Sequence, residues 1–186
     1  MKNLGTAIAV SEYTGELAKL PACTRDGSAI ARVLQTESRF DDVLVIDSET
    51  ISTSVKHSLI SFFKKHEQQE VGDIFFYFSG HGEFTGDEFY YLLSDYNSRR
   101  RKQTSLENSE LDSLARALKP NVFVKMVDAC QSGILYIKNP DEFDEYLRKG
   151  VHGGFKNVHF MYSSQGDQSS YQDKDLSFLR ILYSIA

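Results

Sequence analysis

The sequence predicts an α/β fold, a mostly parallel β-sheet with helices on both faces. Three observations carry that expectation. Short unbroken apolar runs such as IFFYF (74–78) read as strands buried on both sides. Segments with apolar residues at helical spacing stand between them. The two kinds of segment alternate along the chain, as crossover connections between parallel strands require. With 186 residues, 41% hydrophobic and 25% charged, the chain has the size and ordinary composition of one domain with a sizeable core.

Element by element, LGTAIAV (4–10) is a buried-type strand. DGSAIARVLQT (26–36) is a helix, with Ala29, Ile30, Val33 and Leu34 at helical spacing. DVLVI (42–46) is the second strand, and TSVKHSLISFFKKH (53–66) is an amphipathic helix with Val55, Leu59, Phe62 and Phe63 on one face. DIFFYF (73–78) is the third strand, stopped by Ser79-Gly80 as a turn. EFYYLLSDYN (88–97) has the character of a hairpin arm. NSELDSLARAL (108–118) is a helix with a capping-box pattern, Ser109 as cap and Asp112 three residues on. VFVKMVDAC (122–130) is the next strand. NPDEFDEYLRKG (139–150) is a short helix with Asn and Pro at its start, acids early, bases late and Gly after. VHFMYSSQG (158–166) is another strand, and SFLRILYSIA (177–186) begins a helix.

The charge balance excludes several classes. A net charge of −5 points away from a general nucleic-acid or membrane-surface partner. No leader pattern and no apolar run of about 18 residues is present, so a soluble, cytoplasmic protein is expected. Two cysteines, Cys23 and Cys130, make no disulfide framework and suit a reducing compartment. Zinc spacing, a Walker loop and a Rossmann fingerprint are all absent, and no cofactor is expected. His57 and His66 fall on or beyond the polar face of a helix, and His152 and His159 have no ligand-like spacing.

Two strand ends carry the chemistry. One runs into Ser79-Gly80-His81-Gly82, the other into Asp128-Ala129-Cys130-Gln131-Ser132-Gly133. If these strands are parallel neighbours, an imidazole and a thiol meet at the carboxyl edge of the sheet, where α/β proteins carry their functional groups. A thiol needs such a partner, because the thiolate is the nucleophile and a leaving amine needs a proton. Glycines on either side of His81 would let a substrate approach the backbone closely. Singly, each residue has a bland reading: Cys130 as a small core residue, His81 as a turn residue. Their conjunction, 49 residues apart with glycines nearby, favours a catalytic dyad.

FFYFSGHG and VKMVDACQSG resemble the two catalytic motifs of caspase-like cysteine peptidases, in particular the metacaspase, paracaspase and bacterial branch. The resemblance runs from about Leu4 to Tyr183. It implies the caspase–haemoglobinase fold, with His81 as general acid/base and Cys130 as nucleophile. It also implies an oxyanion hole from the backbone N–H groups of Gly82 and Cys130. Caspases that cut after aspartate carry Gln where this chain has Asp128. The acid resembles the metacaspase-like branch and implies cleavage after Arg or Lys, with Asp167 as a second pocket acid. Asp128 capping a turn and Asp167 solvated in a loop are the plain alternatives.

Taken together, the expectation is one caspase-like peptidase domain over 1–186. Its partners would be a protein or peptide substrate and additional domains or a regulatory subunit. The family core has six strands and five are counted here, so the last strand is expected to be missing and the chain to be part of a longer protein. Bacterial modules of this kind imply an immune or cell-death setting. A catalytically silent domain used for assembly is the runner-up. A nucleotide-binding doubly wound domain fares worse, since neither loop has a phosphate-cradling pattern. Some metacaspases bind calcium, but DEFDE (141–145) and DKD (173–175) match no EF-hand loop and read as solvated acids. Finally, NSRRRKQTS (97–105) reads as an exposed, mobile basic loop. Arg99, Arg100, Arg101 and Lys102 there would be self-cleavage sites for an enzyme with an acidic pocket.

Overall fold

The computed structural model describes residues 1–15, 17–85, 87–130 and 157–162, together with Glu145 and Phe155. The expected helices 139–150 and 177–186 lie outside the described residues, apart from Glu145. Five parallel strands form the main sheet: β1 (Lys2–Ala9), β2 (Asp42–Ile46), β3 (Val71–Thr85), β6 (Val122–Cys130) and β7 (Val158–Tyr162). Their lateral order is β2-β1-β3-β6-β7. A smaller antiparallel part is built from the end of β3, β4 (Glu88–Leu92) and β5 (Ser105–Glu107). The α/β class and the hairpin arm agree with the sequence reading.

Helices cover both faces. On one side α1 (Pro21–Thr36) sets Ile30, Ala31 and Leu34 against Ala7 and Tyr77. On the other, α2 (Ser52–Lys65) and α4 (Asn108–Ala117) bury Val55, Leu59, Leu111 and Ala115 with Leu4, Ile8, Ile74, Phe76, Phe78 and Phe123. Burying an aliphatic or aromatic side chain of this kind contributes roughly 1.5–3 kcal/mol. The unbroken apolar run of β3 follows from being covered on both sides. His66, expected on the polar side of its helix, is instead buried beyond the end of α2, with Nε2 2.8 Å from Asp42 Oδ2.

Four local expectations are corrected. First, α1 begins at Pro21, five residues earlier than its apolar spacing suggested; proline at the first helical position has no N–H to leave unpaired. The longer helix turns Cys23, Asp26, Gly27, Ile30, Ala31 and Leu34 inward and leaves Ala29 and Val33 exposed. Second, Ser79-Gly80 does not stop β3, which continues to Thr85 by exchanging its partner β1 for β4. Third, Ser109 does not cap α4: the helix starts at Asn108 without a side-chain cap, and Asp112 points inward to Lys125. A buried ammonium is a stronger claim on that carboxylate than an exposed helix end.

Fourth, the basic segment is not an irregular loop. Ser98–Arg100 form a 3₁₀ turn and Arg101–Thr104 a short helix, α3. Arg101 explains the order. Its Nε and Nη2 donate to the two carboxylate oxygens of Glu83 at 3.0 and 2.8 Å, and Tyr96 donates to the same carboxylate at 2.7 Å. Such a two-pronged charge-assisted contact fixes geometry as well as charge. Thr104 seals the turn by donating to Arg100 O and accepting from Asn97 N.

Candidate functional site

The two motif strands are hydrogen-bonded neighbours. β3 and β6 pair in parallel from Asp73↔Val122 to His81↔Cys130, so the histidine and the cysteine are backbone partners at the carboxyl end of the two strands. Alternation along a strand puts Tyr77, Ser79 and His81 on one face of β3. In-register pairing puts Met126 and Asp128 on the same face of β6. That is the α1 face, where Ala9 of β1 pairs with Ser79 and abuts Gly27 of α1. A side chain on Gly27 would bring its Cβ to 2.3 Å from that of Ala9, so glycine is what lets α1 lie this close to the strand ends.

His81 is only 2% exposed. The segment between β1 and α1 folds over it and closes on itself, Leu20 N–H donating to Ser11 O at 2.8 Å. Two residues of this segment hold the histidine. Tyr13 accepts the His81 backbone N–H at 2.8 Å and lays its ring beside the imidazole, centroids 4.8 Å apart. Ala18 O lies 2.8 Å from Nε2. A carbonyl can only accept, so this contact assigns the proton of the neutral ring to Nε2 and leaves Nδ1 as the basic nitrogen.

The glycines flanking His81 have a packing reason of their own. A Cβ on Gly80 would lie 2.9 Å from Tyr13 Oη and from the Phe78 ring. One on Gly82 would lie 2.6 Å from the Phe89 ring and 2.9 Å from Ala129 Cβ. Both are required by the protein's own packing. Gly82 sits where β3 has begun to pair with β4, opposite Tyr91.

Beneath the His81–Cys130 pair lies a polar patch. Asp128 is half-buried and pairs in register with Ser79, two positions before that pair. The hydroxyls of Tyr77 and Ser79 are buried, and neither makes a well-formed hydrogen bond among the described residues. Burial raises the Tyr77 phenol far above its ordinary range; Asp128 adds to this, nearby Ser79 opposes it, and Asp26 and Cys23 of α1 add smaller effects in the same direction as Asp128. Asp128 of β6 and the buried Asp26 of α1, far apart in sequence, thus both lie near enough to Tyr77 to act on its phenol. Asp26 was missed by the sequence reading. The signal that could have found it was Pro21: a helix counted from there puts Cys23, Asp26 and Gly27 on its inward stripe.

Asp167 lies outside the described residues, as do Gln131, Ser132, Gly133 and the acids 141–144 and 173–175. Among the described residues no group of three or more His, Cys, Asp or Glu side chains could hold a metal ion. Among them, too, no helix is long and apolar enough to cross a membrane. Arg99, Arg100 and Lys102 are exposed, whereas Arg101 is half-buried against Glu83.

Comparison with known proteins agrees with this architecture. The family model described as the caspase domain matches residues 4–179. A protein from Geobacter sulfurreducens, solved in a structural genomics programme, is 17% identical and superposes with a TM-score of 0.63, over 93% of this chain and 77% of its own. At that identity the likeness is one of fold. No curated protein matches the chain.

Proposed function

The chain belongs to the caspase-domain family, and from that premise we propose that it is a cysteine endopeptidase cleaving after Arg or Lys through a dyad of His81 and Cys130. The observation that carries the proposal is the register His81↔Cys130 across the carboxyl edge, together with the Ala18 contact at Nε2.

In this reading Nδ1 takes the thiol proton and the Cys130 thiolate attacks the scissile carbonyl. The backbone N–H groups of Gly82 and Cys130 receive the developing oxyanion. The imidazolium returns its proton to the leaving amine, and the acyl-enzyme forms. Water, deprotonated by His81, then releases the acid. Ala18 O is suited to both states of the ring, since Nε2 remains a donor throughout. Asp128 supplies the negative charge that a guanidinium or ammonium at P1 requires, and would repel an acidic P1 side chain; Asp26, which also acts on Tyr77, is assigned to the same side of the sheet. Asp167 is assigned to the same pocket on the resemblance alone. We retain a bacterial immune or cell-death setting as the context, on the same footing.

An activity-based probe with an Arg acyloxymethylketone tests the reading. It should alkylate Cys130, and its Asp counterpart should not. The Cys130→Ala and His81→Ala proteins should both lose peptide cleavage, by similar factors because the two groups act as a unit. Unchanged turnover in purified Cys130→Ala protein overturns the proposal; neither labelling nor turnover in the unsubstituted protein overturns it too and leaves a caspase-like assembly domain as the better account.

A further inference from the structure

We propose that Tyr13 is the positioning residue of His81, fixing through one side chain both the strand backbone and the plane of the imidazole. The inference rests on the peptidase reading for its kinetic consequences, but its geometry stands apart from it.

β1 and β3 part company just before the site. Their last paired residues are Ala9 and Ser79, and Val10 N–H donates to Ser79 O at 2.8 Å. β4 does not pair with β3 until Gly82. His81 therefore has β6 on one flank and no strand on the other. Its backbone N–H is buried there, and a buried N–H without an acceptor is costly. The Tyr13 hydroxyl supplies that acceptor and itself donates a hydrogen bond to Leu92 O at 3.3 Å, at the end of β4. One phenol thus stands in for a strand at the single place where β3 changes partners.

The same side chain orients the ring. Its aromatic face lies against the imidazole at an interplanar angle of 49°. Gly80 leaves room for it, since any side chain there would strike the Tyr13 oxygen. The segment carrying Tyr13 is pinned by Thr14, whose N–H and Oγ1 both donate to Ser94 O at 2.8 and 3.1 Å. The same segment carries Ala18, the acceptor at Nε2. A half-turn of the imidazole about Cβ–Cγ would put Cε1 where Nε2 now meets Ala18 O and give up that hydrogen bond. The arrangement holds the basic nitrogen in one orientation before a substrate arrives.

The test uses the full chain with ¹⁵N-labelled histidine, read by long-range ¹H–¹⁵N spectra, alongside cleavage kinetics on an Arg substrate. In the unsubstituted protein His81 should titrate from a single Nε2–H tautomer, with exposed His57 as an internal reference. Tyr13→Phe keeps the ring and removes the hydroxyl. It should shift the His81 titration and lower kcat about tenfold or more while KM stays within about twofold, as expected for a misplaced catalytic group. Tyr13→Leu should populate both tautomers. A Tyr13→Phe protein that is merely less heat-stable, with kcat, tautomer and titration midpoint of His81 unchanged, overturns the proposal. If the chain cleaves no peptide at all, the peptidase reading fails, and the spectra of Tyr13→Phe still decide the positioning role.

Discussion

Asp112→Ala should unsettle the strand that carries Cys130 from its opposite face. Lys125 of β6 is 3% exposed. Its ammonium donates to Asp112 of α4 and, at 2.9 Å, to Asn108 Oδ1; that oxygen also accepts the Tyr91 hydroxyl at 2.9 Å. Burial lowers the Lys125 pKa, and the Asp112 carboxylate opposes the shift. Removing the carboxylate leaves a buried charge with neutral acceptors, which costs about 3–5 kcal/mol. That is a large part of the roughly 5–15 kcal/mol that holds a domain together. Replacing both partners, Asp112→Leu with Lys125→Met, should recover most of the loss, because no charge is then left in the core. Urea unfolding in a Cys130→Ala background measures both. The loss also carries a pH signature. In Asp112→Ala the folded Lys125 pKa falls further while the unfolded value stays near the ordinary one of about 10.4. Between those values the unfolded chain binds more protons, so stability should rise with pH more steeply than in the parent and approach it as pH nears that limit. A single-variant cost below about 1 kcal/mol, or a double variant as unstable as the single, would refute the reasoning.

Asp128→Asn should cost about 2 kcal/mol, roughly thirtyfold in kcat/KM on an Arg substrate, with the loss smaller on a substrate with a neutral P1 residue. Asp26→Asn should act in the same direction, and a substrate panel showing faster cleavage after Asp than after Arg would sink the acidic pocket. Gly82→Ala should destabilise the fold by about 1–3 kcal/mol, since its Cβ falls on the Phe89 ring and Ala129; thermal unfolding unchanged from the parent would contradict the packing account. Self-cleavage should fall after Arg99 or Arg100, which are exposed, and not after Arg101, whose guanidinium is held by Glu83. Intact masses of active and Cys130→Ala protein, incubated in parallel, check this, and Glu83→Gln should open Arg101 to cleavage as well.

The parallel strands, the helices between them and the meeting of His81 with Cys130 were legible in the sequence. Each is announced by residues close together in the chain: an apolar run for a strand buried on both faces, a 3.6-residue spacing for a helix, a polar cluster where a buried strand ends. Once β3 and β6 are parallel neighbours, their register follows from matching apolar runs, and the pairing of His81 with Cys130 comes with it. What surrounds the dyad was not legible, because it depends on which polar groups are taken out of water together. Ala18 and Tyr13 reach His81 across 63 and 68 residues, and neither residue type announces a hydrogen bond to come. Arg101 reads as one more base in a basic run until Glu83, carried outward by the unforeseen extension of β3, removes it from solvent. Asp112 reads as a helix cap until a lysine five residues before the cysteine is buried against it. Periodicity records which side of an element faces the core. Only the assembled core decides which buried donor finds which acceptor, because each pairing repays a desolvation that arises only once distant segments have packed.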